Sequence, residues 1–477
     1  MQLKRSRLRL TLVCGIATGA LAVMGCFDEN HLLGDQSDAG AGSKKAGSGG
    51  VGGAATAGGS GASSAADAGT GLAVGSAPEA GTGGQAGGGP VTSLDAGVGG
   101  TAPPPDASAT VTSLGDKASL GWPIAIPPAE VARRLSEFLL QKQPSASLIA
   151  AIVASAPVTN QDVGELADGV LLQDGSLAGR QAFYRWWLGL DAFADSAQFP
   201  RDPVLFPALT ADVRLALVNQ TLSFIEDITW RPQGDFSTLL TEPTAYVSGD
   251  TATWFPGVVV PVGTSPRVAL DPTRYAGIFT QPATVATTDL PNRASPTRRG
   301  LNVSARYLCQ PIPASPPNFP PLVVAAGVTI RQAEEVAGNQ ACASACHYSI
   351  DQLGFAFGHF DAVGAYQDTE NGLAIDTTGV LRNFDGSGPD APFDGAADLA
   401  SELATMPEVR ACFASQWLAF ATGMNSYFGE LPVPAPDNYG ALAADADYVV
   451  KRATIQGRLN LRGTIRAVTE THAFLDP

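Results

Sequence analysis

The sequence predicts a mainly α-helical protein whose folded part begins near residue 119 and follows a long disordered tether. Three observations carry this. Apolar residues recur at helical spacing in four stretches after Trp122. Composition changes abruptly at that point. And 24 of the 54 glycines lie between residues 31 and 120, where apolar periodicity is missing.

The chain opens with Lys4, Arg5, Arg7 and Arg9, then an apolar run from Leu10 to Gly25. The run is short for a bilayer span and has the form of a signal segment, residues 1–26. It ends Val23-Met24-Gly25-Cys26, which resembles a bacterial lipobox, so Cys26 is expected to become the lipidated first residue of the mature chain. The competing expectation is an ordinary signal peptide cut nearby. No later apolar run reaches membrane length. Residues 27–118, with stretches such as "GSGGVGGAATAGGSGASSAADAGTG", cannot bury enough surface to offset their ordering entropy. They are read as a flexible stalk. Glycine keeps no three-residue period, which excludes collagen.

The whole chain has 477 residues, a net charge of −16 and a pI of about 4.6. With no basic stripe in so acidic a chain, nucleic acid is not an expected partner.

The elements follow in order. Val131, Leu135, Phe138 and Leu139 share one helical face after Pro127-Pro128. Val163, Leu166, Val170 and Leu171 repeat the spacing behind Thr159 and Asn160, good cap residues. "GRQAFYRWWLGLD" puts Phe183, Trp186, Trp187 and Leu190 on a stripe read as core packing. Val213, Leu217, Phe224 and Ile228 form another. Residues 232–300 show little periodicity, and "PTRRG" opens the next helix, "LNVSARYLC". "PIPASPPNFPPL" reads as a polyproline II connector. Residues 361–398 carry seven aspartates among glycines; no calcium-loop register is present, and "DTTG" and "FDG" suit turns and a short hairpin.

The stretch "NQACASACHYSIDQLGF" holds the candidate chemistry: Cys342, Cys346 and His347. Covalent haem is usually spelled C-x-x-C-H, and here the spacer is one residue longer. Spacing i, i+4 keeps both cysteines on one helical face, and Ala343, Ser344 and Ala345 are small. The same spacing puts the α-carbons about 6 Å apart, near the upper end for a disulfide. Three readings stay open: haem c with His347 as proximal iron ligand, a disulfide-only site, and zinc, which lacks a good fourth ligand nearby. An exported chain disfavours unpaired thiols. Haem would consume Cys342 and Cys346 and leave Cys309 and Cys412 to pair with each other. A distal ligand could come from Met406, followed by Pro407 as in class I cytochromes c, or from His359, His472 or Met424; a solvent-ligated iron is the alternative. The chain has no G-x-S-x-G, H-E-x-x-H or P-loop, so a hydrolase is not expected.

Several stretches make a resemblance specific. "ARRLSEFLL", "FYRWWLGLD", "DPVLFPALTADVRLAL" and "YAGIFTQPA" resemble domain-of-unknown-function family 1592. "SPTRRGLNVSARYLCQPIPASPPNFPPL", "ACASACHYSIDQLGFAFGHFDAVGAYQ" and "IDTTGVL" resemble family 1588. "CFASQWLAFATG" and "TIRAVTETHAF" resemble family 1585. The combination is similar to secreted planctomycete- and myxobacterial-type proteins. It implies a helical domain over 119–294, a cytochrome-c-like segment with a short β-hairpin region over 295–398, and C-terminal helices over 399–477. It also implies a bacterial cell-envelope protein and no known reaction. Relatives spell C-x-x-C-H and Met-Asp-Pro where this chain has the longer spacer and Ile350-Asp351-Gln352, and carry an arginine where it has Met424. The function expected is electron transfer through one covalent haem c, serving an envelope redox partner, with the membrane contacted through the lipid anchor. The competing expectation is a haem-free envelope scaffold or binding protein, with polysaccharide as one ligand class and disulfides at the same cysteines.

Labelled palmitate supplied to a bacterial host is expected to enter the wild-type protein and not the Cys26→Ala variant. Wild-type protein that remains label-free and wholly aqueous in detergent partitioning would contradict a lipid anchor.

Overall fold

The computed structural model describes residues 121–476, apart from 174, 262, 311–321, 339–342, 383–389 and 425–435, and gives no side-chain surroundings for 343–346 and 436–441. The signal segment, Cys26, the tether, the proline-rich connector and Cys342 lie outside the described residues.

The fold is mainly helical, with small antiparallel strand pairs. α1 (Pro128–Leu140), α2 (Ala146–Ser155), α3 (Asn160–Leu171), α4 (Ser176–Leu188) and α5 (Leu190–Ala194) lead to the long α6 (Ala211–Trp230) and short α7 (Phe236–Thr241). A hairpin follows, β1 (Thr244–Tyr246) with β2 (Arg267–Ala269), then a 3-10 turn at Gly277–Thr280, α8 (Pro282–Ala286) and α9 (Pro296–Arg306). Next come α10 (Ile330–Gly338) and α11 (Ala343–Phe355), and two hairpins: β3 (Thr369–Glu370) with β4 (Leu373–Ala374), and β5 (Thr378–Leu381) with β6 (Ala391–Asp394). α12 (Gly395–Thr405), α13 (Pro407–Ala421), α14 (Pro436–Ala453), β7 (Thr454–Ile455), β8 (Arg458–Leu459), α15 (Leu461–Thr469) and α16 (His472–Leu475) complete the chain.

Local chemistry explains where helices begin. Thr159 and Asp162 form a reciprocal capping box at α3. Thr210, Asp235, Ser295, Asn460 and Thr471 each accept a backbone N–H at the start of a helix. Pro128, Pro296 and Pro407 occupy first turns, where a missing N–H costs nothing. The stripe expected to run from Phe183 to Leu190 is broken in the structure. Gly189 at φ 71° ends α4, its N–H bonding back to the Arg185 and Trp186 carbonyls, and Leu190 begins α5. Asp398, expected in an aspartate-rich loop, lies instead in the first turn of α12, where its charge suits the helix dipole.

One hydrophobic core draws on segments far apart in sequence. Phe183 of α4 stacks on Trp417 of α13 at 3.6 Å between ring centroids, and Phe236 of α7 stacks on Phe413 at 4.4 Å. Trp187 also meets Phe413 and Tyr307. A disulfide joins Cys309, just after α9, to Cys412 on α13.

α9 and α11 pack closest of all. A Cβ on Gly300 would lie 1.7 Å from the Ile350 carbonyl oxygen, and one on Gly354 would lie 1.7 Å from that of Pro296. Only hydrogen fits at either place. The buried Arg299 then fastens the end of α11. It donates to the carbonyls of Phe357, Phe360 and Asp361 and pairs with buried Asp289 at 2.6 Å. The β5–β6 hairpin lies against the same helix, Gly379 being so near that a Cβ would come within 2.8 Å of the Gln352 carbonyl oxygen.

Gly300→Ala should destabilise the fold by about 1–3 kcal/mol, because overpacking against a backbone oxygen outweighs the helix propensity gained, about 1 kcal/mol. Chemical denaturation reads this as a lower midpoint; an unchanged midpoint would contradict the close approach. Replacing Cys309 and Cys412 together by serine should cost about 2–4 kcal/mol, since the cross-link spans 103 residues and restricts the unfolded chain.

Candidate functional site

α11 carries the candidate site because its two faces are used differently. Ile350 and Leu353 are buried. Tyr348, on the outer face, is 60% exposed, with the Arg382 guanidinium over its ring at 4.3 Å. His347 and Asp351 stand one turn apart on the same face. His347 Nδ1 and Asp351 Oδ2 are 2.9 Å apart. A carboxylate only accepts, so the ring N–H at Nδ1 donates to it.

α10 supplies the third group, Glu334. The Ile330 N–H donates to Glu370 on β3, and Arg331 Nη1 donates to the Thr378 carbonyl on β5. These tie α10 to both hairpins and turn Glu334 inward. One ligand atom from each of Glu334, His347 and Asp351 lies within 4.8 Å of the others. Side-chain exposures are 4%, 12% and 6%, respectively. Arg293 Nη1 stands 4.0 Å from Glu334. Among the described residues, Asp351 Oδ1 has no hydrogen-bond partner, so the carboxylate's described polar contact is with the imidazole.

The other expected residues fall as follows. Cys346 lies in α11, directly before His347, with its thiol outside the description. Met406 occupies the corner between α12 and α13, capping α13, and packs partly buried against the core. No described hydrogen bond joins it to His347. His359 stacks on Tyr366 and bonds through Nδ1 to the Gln367 carbonyl. His472 stacks on Trp122 at 4.3 Å and stands beside Asp476. Met424 packs against the core. Cys309 and Cys412 are bonded to each other.

Sequence reasoning did not give Asp351 and Glu334 a role. A carboxylate four residues after a helical histidine was a readable signal for Asp351. Nothing in the sequence near Glu334 announces it, because a separate helix brings it in.

The residues fit an axial haem ligand. His347 follows a cysteine on a helix, and its ring is fixed by a buried carboxylate whose other oxygen has no hydrogen-bond partner among the described residues, the arrangement by which a second group orients a ligating imidazole. A pair of carboxylates with an imidazole also forms a donor set of the kind hard or borderline cations use.

Among the described residues, no helix is long and apolar enough to cross a membrane. No curated protein and no solved structure matches the chain. Residues 126–256 match the family model PSD4, protein of unknown function (DUF1592), and residues 275–370 match PSCyt3, protein of unknown function (DUF1588). Neither match reaches the C-terminal segment, so its resemblance to family 1585 is not shown, nor is a planctomycete origin. These stretches are thus similar to a DUF1592 domain followed by a DUF1588 domain, and the cluster of Glu334, His347 and Asp351 lies within the second matched stretch.

Proposed function

We propose that the protein is a cell-envelope electron carrier, anchored through a lipid on Cys26, with one c-type haem held on α11. Cys342 and Cys346 would provide the thioethers and His347 the proximal ligand. The observation that carries this reading is the His347–Asp351 bond, which commits Nδ1 and turns the ring so that Nε2 is its ligating nitrogen. The short name of the matched family, PSCyt3, points the same way. A haem bound there supplies one-electron transfer. The chain's own part is to hold the ring, on a helix whose other face is buried through Ile350 and Leu353. The neighbouring Tyr348 is exposed, so the site lies close to a surface where a redox partner can dock.

The Cys309–Cys412 bond favours a second reading. It shows the chain using cysteines as cross-links, and the longer spacer in Cys342–Cys346 suits a haem-free scaffold or polysaccharide-binding module held by such bonds.

Protein exported by a host with c-type maturation is expected to show a Soret band and to retain haem through denaturing electrophoresis. His347→Ala should remove the proximal ligand, and Cys346→Ser should lower covalent attachment. Deleting one residue from Ala343-Ser344-Ala345 restores the usual spacing. Haem on the shortened variant alone would overturn the haem reading for the natural chain and favour the scaffold.

A further inference from the structure

We infer that Asp351 is a positioning residue that sets the electron-donating strength of His347, so that the α11 centre is tuned to its oxidised form and passes electrons to acceptors of higher potential. The inference rests on the haem reading of the same site and names the class of redox partner.

The hydrogen-bond acceptor at the far side of an imidazole decides how much electron density its ligating nitrogen can give. A backbone carbonyl is neutral and draws the Nδ1 proton weakly. Here the acceptor is a carboxylate at 2.9 Å. It is 5% exposed, so water does little to screen its charge. Its second oxygen has no hydrogen-bond partner among the described residues, so the charge is not shared with another described donor. Asp351 thus pulls on the Nδ1 proton, and Nε2 becomes the stronger base.

Two further features act in the same direction. Glu334 brings a second buried carboxylate within 4.8 Å of the cluster, offset in part by Arg293 at 4.0 Å. Negative charge beside a metal favours its higher oxidation state. The backbone that carries Asp351 is also held in place. Ile350 is buried against Gly300, and Gly354 is locked on Pro296. A thioether as second axial ligand would work oppositely and raise the potential. Such a ligand would be common to wild type and variant, so the sign of the difference at Asp351 is unaffected by it.

The test uses full-length protein from a host with c-type maturation, comparing wild type with Asp351→Asn and Glu334→Gln. Asp351→Asn keeps an acceptor and removes the charge. It should retain covalent haem while losing preference for the ferric state by about tenfold, the lower end of what outer-shell partners contribute. That corresponds to a rise in midpoint potential of about 59 mV for a one-electron couple. Glu334→Gln should raise the potential too, and the protonation state of His347 in the wild type carries the test of Asp351 if Asp351→Asn does not fold. In haem-free protein, nitrogen-15 shifts of His347 should show Nδ1 protonated in the wild type, with that preference lost in Asp351→Ala. Wild-type protein without covalent haem overturns the haem reading and the inference with it. Haem-loaded variants whose potential equals the wild-type value overturn the inference alone, as does a wild-type His347 protonated at Nε2.

Discussion

The place of the candidate site is settled by two missing side chains. At Gly300 and Gly354, α9 and α11 touch backbone to backbone, and each glycine faces a carbonyl oxygen of the other helix. Contact this close leaves α11 one position and one rotation. His347 and Asp351 then point toward α10, and Ile350 and Leu353 point into the interior. The Arg299–Asp289 pair completes the fixation from below, where burial pushes the Asp289 carboxyl upward against the pull of the guanidinium. That pair is worth less as an isolated attraction than for holding Arg299 where it satisfies three carbonyls in the segment just after α11.

The site on this helix has layers. The imidazole comes first, a carboxylate orients it, and a second carboxylate from a neighbouring helix adds charge. The hairpins matter because they hold α10, the helix that carries Glu334. A site assembled from one helix and corrected by a second can change its electronic character through residues that never touch a cofactor.

The four apolar stripes were legible because helical spacing survives in sequence, and Val131, Leu135, Val163, Phe183, Trp187, Leu217, Phe224 and Ile228 are all buried. The mainly helical class followed from the same signals, and a short hairpin within 361–398 from turn residues, whereas the β1–β2 and β7–β8 pairs were not anticipated. Less legible were elements with weak periodicity. α2 buries only Ile152, so its apolar residues gave no clear face. α7 and α8 are too short for a period to appear. Gly189 ended a helix inside a continuous stripe, since apolar spacing says nothing of backbone dihedral. At the site, the cysteines and His347 were visible as a motif, and Asp351 stood in view as the one residue of Met-Asp-Pro that this chain keeps, without a role assigned to it. Glu334 depended on a tertiary contact.

The stacking of Phe183 on Trp417 links residues more than two hundred positions apart. Its consequence concerns the order of events as the chain is made. When the first helices emerge, the rings that will cover Phe183 and Trp187 do not yet exist. Until α13 is made these side chains lack their partners, and closure waits for the last quarter of the sequence. Non-local contacts of this kind slow folding, because the loop entropy must be lost before the contact forms. The late arrival of α13 thus leaves the first helices with an unfilled aromatic seat until most of the chain has been made.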